Sequence, residues 1–315
     1  MKILFVWTGV TSYMADCWRE LASRPGVDLK TVVEKHASGA EFDAEKLFSG
    51  LDCTVVEPGG IRDFGGWKPD VLFAVGWRSR TVRTAVLSQN FRQVPKICCF
   101  DMPWRTSLRC FAARFVLHRY LRNFAAAFVP GESAARYARW LGFRTVSKGL
   151  FSLDVSRFSG RRGDSGFLYI GRDAPEKRLD LLRAAHERYR ELGGKWKLEI
   201  YGGGRFVQPC DVPAVYAENA CLVLTSAFDP WPLVILEATA AGLAVVASDR
   251  CGNARELGAR VFPFGDAEAA ARAMLDAERG AVKPAGPERA ARYDCAKWAD
   301  RVLRIASAPG EEAAT

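Results

Sequence analysis

The stretch SAFDPWPLVILEATAAG, Ser226–Gly242, places two acids, Asp229 and Glu237, eight positions apart. Pro230 and Pro232 stand beside the first acid, and a run of apolar and small residues carries the second. Asp229 followed by Pro230 reads as an N-cap with proline at the first helical position. Glu237 then falls in the second turn, after the apolar PLVIL, and Ala238, Thr239, Ala240, Ala241 and Gly242 let that helix lie close to a neighbouring layer. A carboxylate on such a face is costly to bury without a partner. The two acids are either a cap and a solvated surface glutamate, or two halves of a site.

Outward from this stretch, short apolar runs alternate with longer amphipathic ones. Candidate strands are 2–7, 28–33, 53–57, 70–76, 95–100 and 124–131, each β-branched or aromatic and ending at a turn residue or proline. Helical patterns lie between several of them, as at 13–24 and 79–90. The pattern restarts with strands at 167–171, 197–204, 220–226, 244–248 and 260–264, and helices over 176–192 and from 231. Apolar strands alternating with helices predict parallel sheets covered on both faces. The expected fold class is α/β, with two Rossmann-like doubly wound domains facing a cleft. The Ser-, Gly- and charge-rich 147–166 segment is the expected join. The predicted division is an N-terminal domain over 1–150, a C-terminal domain over 151–290, a helix over 291–308 packing back across the domains, and a disordered tail over 309–315. Helical spacing of apolar residues runs through 286–305 as one helix.

The 315 residues are 49% hydrophobic and 26% charged, which is the balance of a globular protein. No apolar run approaches the roughly 18–20 residues that span a bilayer. The opening MKILFVWTGV reads as a first strand, not a signal peptide. Nine cysteines without a C-x-x-C pair predict buried thiols in a reduced, cytoplasmic protein. Three separated histidines, His36, His118 and His186, offer no metal site. The net charge of +9 lies wholly in residues 1–150, which hold 22 Lys and Arg against 13 Asp and Glu. That half favours an anionic partner, unless the charge serves only solubility.

Three further groups could carry chemistry. In YIGRDAPEKRLDLL (169–182) a strand ends at Gly171, and Arg172 and Lys177 stand at the helix start that follows. Free N–H groups, the helix dipole and two cations suit a diphosphate there; a solvated loop Arg and a surface Lys are the plain alternative. KLEIYGGGRF (197–206) ends in Gly202, Gly203 and Gly204, which either admit a ligand to the backbone or only form a turn. Gly9 follows the first strand and Asp101 the fifth; Gly9 also fits a simple βα turn. His118 reads as structural. The helix expected over 105–124 carries Arg105, Arg109, Arg114, Arg119 and Arg122 among Phe and Leu. It suits either an anionic membrane surface or a domain whose core takes its apolar face.

GRDAPEKRLDLL, LEIYGGG and SAFDPWPLVILEATAAGLAVVAS, followed by CGNARELG, resemble in order and spacing the family-4 retaining glycosyltransferases (glycosyl transferases group 1), which have the GT-B fold. That family reads G-R-x-x-x-E-K-G-x-D-x-L, then a strand with a Gly-rich end, then S-x-x-E-P-[FW]-G-[LI]-x-x-x-E-A. The likeness covers about 128–265. It implies a metal-independent hexosyltransferase-type enzyme with no cofactor beyond a UDP- or GDP-linked sugar donor. Arg172 and Lys177 would neutralise the donor diphosphate, Glu237 would hold the ribose hydroxyls, and Asp229 would contact the sugar. Asp101 would face donor or acceptor. Gly9, Gly202, Gly203, Trp231, Pro232 and Leu233 would line the donor site. The implied acceptor is a glycan, a lipid-linked sugar or a lipopolysaccharide-type chain, in polysaccharide assembly at the inner face of the membrane.

Three departures from the pattern bear on function. Asp229 stands where the family has Glu, Pro232 stands where it has Gly and so lacks an N–H, and the 204–220 span is short. The first two departures leave open a GT-B-shaped protein that binds a nucleotide sugar or partner without transfer. A nucleic-acid partner for the basic half has no recognition motif behind it.

Overall fold

The structure is a computed structural model that describes residues 1–9, 12–35, 47–158, 160, 163–202, 204–205, 207–208 and 211–310. Gly203, His36 and residues 311–315 of the expected tail lie outside the described residues. The chain divides into two compact units, residues 1–154 with 294–315, and residues 155–293.

The first unit is built on β1 Lys2–Thr8, β2 Asp28–Glu34, β3 Cys53–Val56, β4 Val71–Val75, β5 Lys96–Cys99, β6 Ala126–Val129 and β7 Val146–Lys148. They form one parallel sheet in the order β3-β2-β1-β4-β5-β6-β7. The strands are apolar because both faces are covered. Ile3, Phe5 and Trp7 enter the core on one face, and Leu4 and Val6 enter the core on the other. Phe5 stacks on Phe73 with ring centroids 4.7 Å apart. The helix Cys295–Ser307 closes that first face, and its Trp298 donates to the Leu150 carbonyl at 2.7 Å. The chain thus returns to its N-terminal unit to complete a core.

β7 runs into the start of the segment expected to be a join. It is three residues long, at the sheet edge, and two of the three are Ser147 and Lys148, so it leaves no apolar run to read. The single helix expected over 286–305 is two, Pro287–Ala291 and Cys295–Ser307. Asp294 divides them by capping the second, its carboxylate accepting from the Ala296 N–H at 2.9 Å. The helix expected over 105–124 is likewise two, Leu108–Val116 and His118–Leu121.

The second unit is built on β8 Phe167–Ile170, β9 Leu198–Tyr201, β10 Cys221–Leu224, β11 Ala244–Ser248 and β12 Arg260–Phe262. They are parallel in the order β12-β11-β10-β8-β9. The helix Leu233–Ala240 is apolar around its circumference apart from Glu237 and Thr239, as a helix buried against a sheet must be. Each sheet reverses its strand order once, at β1/β4 in the first unit and at β8/β10 in the second. In open parallel sheets the crevice outside the carboxyl ends of such a pair is where ligands bind.

Candidate active site

The β8/β10 reversal brings the loops 171–178 and 225–232 side by side. The Ala227 N–H donates to the Glu176 carbonyl at 2.7 Å. Thr225, fully buried, donates from its hydroxyl to the Arg178 carbonyl at 2.9 Å and to the Lys177 carbonyl at 3.3 Å. Pro175–Lys177 form a 3₁₀ turn, and Arg178 then takes the left-handed conformation (φ 53°) before the helix Leu179–Glu191 begins. Arg178 is the one non-glycine residue with positive φ among the described residues. Left-handed backbone disfavours a Cβ, and the family pattern has glycine at this position. Two carbonyls gripped by Thr225 hold the turn, and Arg178 also pairs with Asp180 at 2.7 Å.

The turn aims Lys177 at Asp229. Their side chains form an ion pair at 2.5 Å and are 18% and 13% exposed. Asp229 is therefore not a helix cap. The helix begins at Leu233, Pro232 occupies the N-cap position, and no side chain caps it. At that position the N–H missing from proline belongs to no intrahelical bond. The Pro232 carbonyl accepts from Asn253 Nδ2 at 3.0 Å. The Asp229 backbone is strapped to the following loop, its N–H donating to the Arg250 carbonyl at 3.2 Å and its carbonyl accepting from the Gly252 N–H at 2.9 Å. A Cβ on Gly252 would lie 2.0 Å from the Pro230 carbonyl oxygen, so CGNARELG needs its glycine for this approach.

Glu237 lies in the second turn of the helix and is partly buried. It accepts from the Tyr216 hydroxyl at 2.7 Å. Burial pushes its carboxyl above the usual range, while the Tyr216 hydrogen bond and the Arg157 charge act against that rise. Burial, and then the neighbouring carboxylate, raise the Tyr216 phenol in turn. Tyr216 stands on the short helix Val212–Ala217, inside the short 204–220 span. The pairing escaped sequence reading because it joins two elements 21 positions apart. The proline and small apolar run of VPAVYA was the local signal for the helix.

The other expected residues fall variously. Arg172 projects into solvent with its side chain 82% exposed, 3.5 Å from Glu176. Trp231 is buried against Tyr293, ring centroids 5.4 Å apart. Leu233 opens the helix and is partly buried. A Cβ on Gly202 would lie 2.0 Å from the Gly171 carbonyl oxygen, so this glycine's space is taken by the neighbouring strand end. Gly9 and Asp101 belong to the other unit. Gly9 has φ 72° and donates its N–H to the Glu34 carbonyl at 3.2 Å; Asp101 is exposed just beyond β5. Among the described residues no group of three His, Cys, Asp or Glu could hold a metal ion.

Residues 164–278 match the family model Glycosyl transferases group 1. The matched span contains Arg172, Lys177, Tyr216, Asp229 and Glu237. Solved structures share the fold over nearly the whole chain. Anabaena HepE in complex with UDP and glucose is 16% identical, with a TM-score of 0.68 over 98% of this chain and 99% of that one. The lipopolysaccharide outer core galactosyltransferase WaaB, in its apo form, is 14% identical, with a TM-score of 0.68 over 98% and 99%. Sucrose-phosphate synthase from Thermosynechococcus elongatus is 16% identical, with a TM-score of 0.67 over 96% and 98%. The fold is that of the GT-B glycosyltransferases. No curated protein sequence matches the chain.

Proposed function

We propose that residues 155–293 bind a UDP- or GDP-linked sugar at the β8/β10 reversal, and that the chain transfers this sugar, with retention and without a metal, to a glycan, lipid-linked or lipopolysaccharide-type acceptor. One observation carries the reading: Lys177 and Asp229, from two different loops, are paired at 2.5 Å at the reversal of strand order. Breaking the bond between sugar and diphosphate builds negative charge on the leaving phosphate and positive charge at the anomeric carbon. Lys177 and Arg172 stabilise the first. Lys177 leaves Asp229 for the incoming phosphates, and Asp229 is then free to accept from a sugar hydroxyl. Glu237 accepts from the ribose diol, which compensates a half-buried carboxylate as Tyr216 alone does not. Two cations on the diphosphate supply the charge that a metal supplies elsewhere. HepE, solved with UDP and glucose, and WaaB, named a galactosyltransferase, support a sugar-donor site in this fold.

The test is release of nucleoside diphosphate from a panel of UDP- and GDP-sugars, with EDTA present, followed by NMR of the new linkage. Expected are release that persists in EDTA and a product that keeps the donor's anomeric configuration. Donor binding with neither transfer nor hydrolysis across the panel would instead identify a binding protein, the outcome that Asp229 and Pro232 make worth testing. Inverted configuration would overturn the mechanism.

A further inference from the structure

The helix Leu108–Val116 is turned inside out relative to an ordinary surface helix. Leu108 is 90% exposed, Phe115 77% and Val116 77%, and Phe111 is 41% exposed. Leu108, Ala112 and Phe115 follow the i, i+4, i+7 spacing that lines one helix face, and Phe111 and Val116 border it. The opposite face, through Cys110, is the buried one.

The helix is fixed in this orientation. Ser107 caps it by accepting from the Cys110 N–H at 3.3 Å. Phe111 packs edge-on against Trp104 and Trp140, with centroids 5.3 and 5.1 Å away. Trp140 donates its indole N–H to the Cys110 carbonyl at 3.3 Å, and Arg114 returns a bond to the Trp140 carbonyl at 3.2 Å. These contacts hold the inner face, so the apolar stripe cannot turn inward without breaking them. Single exposed apolar residues are ordinary, but a contiguous stripe marks an interaction surface.

The charge around the stripe selects the partner. From Met102 to Gly131 the chain has no acidic residue and five arginines: Arg105, Arg109, Arg114, Arg119 and Arg122. Arg109, Arg119 and Arg122 are exposed. An apolar stripe within a wholly basic segment matches an anionic phospholipid surface, where the side chains enter the acyl boundary and the guanidinium groups meet the headgroups. Sequence reading left open whether the apolar face of this stretch belongs to the domain core; Leu108, Phe115 and Val116 lie outside it.

We propose that the helix Leu108–Val116 docks the protein on an anionic membrane, with Leu108, Phe115 and Val116 inserted and Arg109, Arg119 and Arg122 on phosphate groups. This does not rest on the donor site, and its test needs no nucleotide sugar. The full chain is sedimented with vesicles of phosphatidylcholine containing phosphatidylglycerol, and with pure phosphatidylcholine, at low and high NaCl. Expected are binding to the anionic vesicles at low salt, at least tenfold less binding to the neutral ones, and loss of binding at high salt. The combined Leu108→Glu, Phe115→Glu and Val116→Glu variant loses vesicle binding at least tenfold with an unchanged melting temperature, because these side chains lie in solvent. Single Phe115→Glu gives a smaller loss in the same direction and serves if the triple variant misfolds. The proposal is overturned if wild type ignores anionic vesicles, if Phe115→Glu binds them as wild type does, or if the wild type is a dimer that Phe115→Glu converts to monomer.

Discussion

At the β8/β10 reversal of the second unit, Lys177 and Asp229 face each other as a largely buried ion pair, and Glu237, on the helix that follows, accepts from the Tyr216 hydroxyl. At the β1/β4 reversal of the first unit, the strands end instead in Gly9 and Gly76, both with positive φ. The acid there, Glu34, is occupied in holding the chain: it accepts from the Ser79 hydroxyl and the Thr81 N–H, each at 2.9 Å, at the start of the helix Arg80–Leu87. Those hydrogen bonds hold its carboxyl below the usual range in spite of burial. Two reversals of the same construction thus differ in what their acids meet: Glu34 holds the start of a helix, and Asp229 pairs with a lysine from a second loop. Fold places the crevice, and the side chains decide what it does.

The largest effect that would break this contrast is at Lys177. Lys177→Ala removes charge from the leaving phosphate and should lower the turnover rate by about 10²–10³-fold, the scale of a lost transition-state donor. Arg172→Ala, at an exposed position, should cost less, and equal losses would mean that burial of Lys177 is not what matters. Diphosphate release under saturating donor measures both.

Next in size is Glu237. Glu237→Gln should weaken donor binding at least tenfold and remove its pH dependence. A carboxyl whose folded pKa is raised contributes stability below the usual value of 4.5, and that contribution is lost as pH rises through the raised value. Ribose hydroxyls need the carboxylate, so donor binding releases the proton. Wild-type affinity should therefore fall as pH drops through that range while the Gln variant stays flat. A titration series across acid pH checks both.

Tyr216→Phe deletes one hydrogen bond to a charged acceptor and should destabilise the protein by about 1.5–3 kcal/mol, read in a denaturant melt. It should also raise the Glu237 pKa further, shifting the affinity profile towards neutral pH. The smallest change is Gly9→Ala. A Cβ there meets nothing within 4 Å, so only the left-handed backbone opposes it, at about 1–2 kcal/mol of stability. A denaturant melt measures the loss.

The parallel sheets were legible because each strand is a local apolar run, and Lys177 and Glu237 stood out locally, one beside a helix start and the other as an acid in an apolar face. What was illegible has a common physical cause. β7 is a three-residue edge strand whose one apolar residue is Val146, so it leaves no apolar run. Tyr216 meets Glu237 only through tertiary packing. Arg178 breaks the glycine preference of its own backbone because Thr225, from another loop, grips the carbonyls of the turn. The cap reading of Asp229 was locally sound and gave way to an ion pair that no local signal contains. The helix Leu108–Val116 mixes two arginines with Leu, Phe and Val, and composition does not say which face meets water.

The central claim is that the charges at the β8/β10 reversal hold a nucleotide sugar, and calorimetric titration with UDP and GDP tests it most directly. Wild type should bind one of the two nucleotides, and Glu237→Gln should bind it at least tenfold more weakly at neutral pH. Equal binding by the Glu237→Gln variant, or no binding of either nucleotide by wild type, would contradict it.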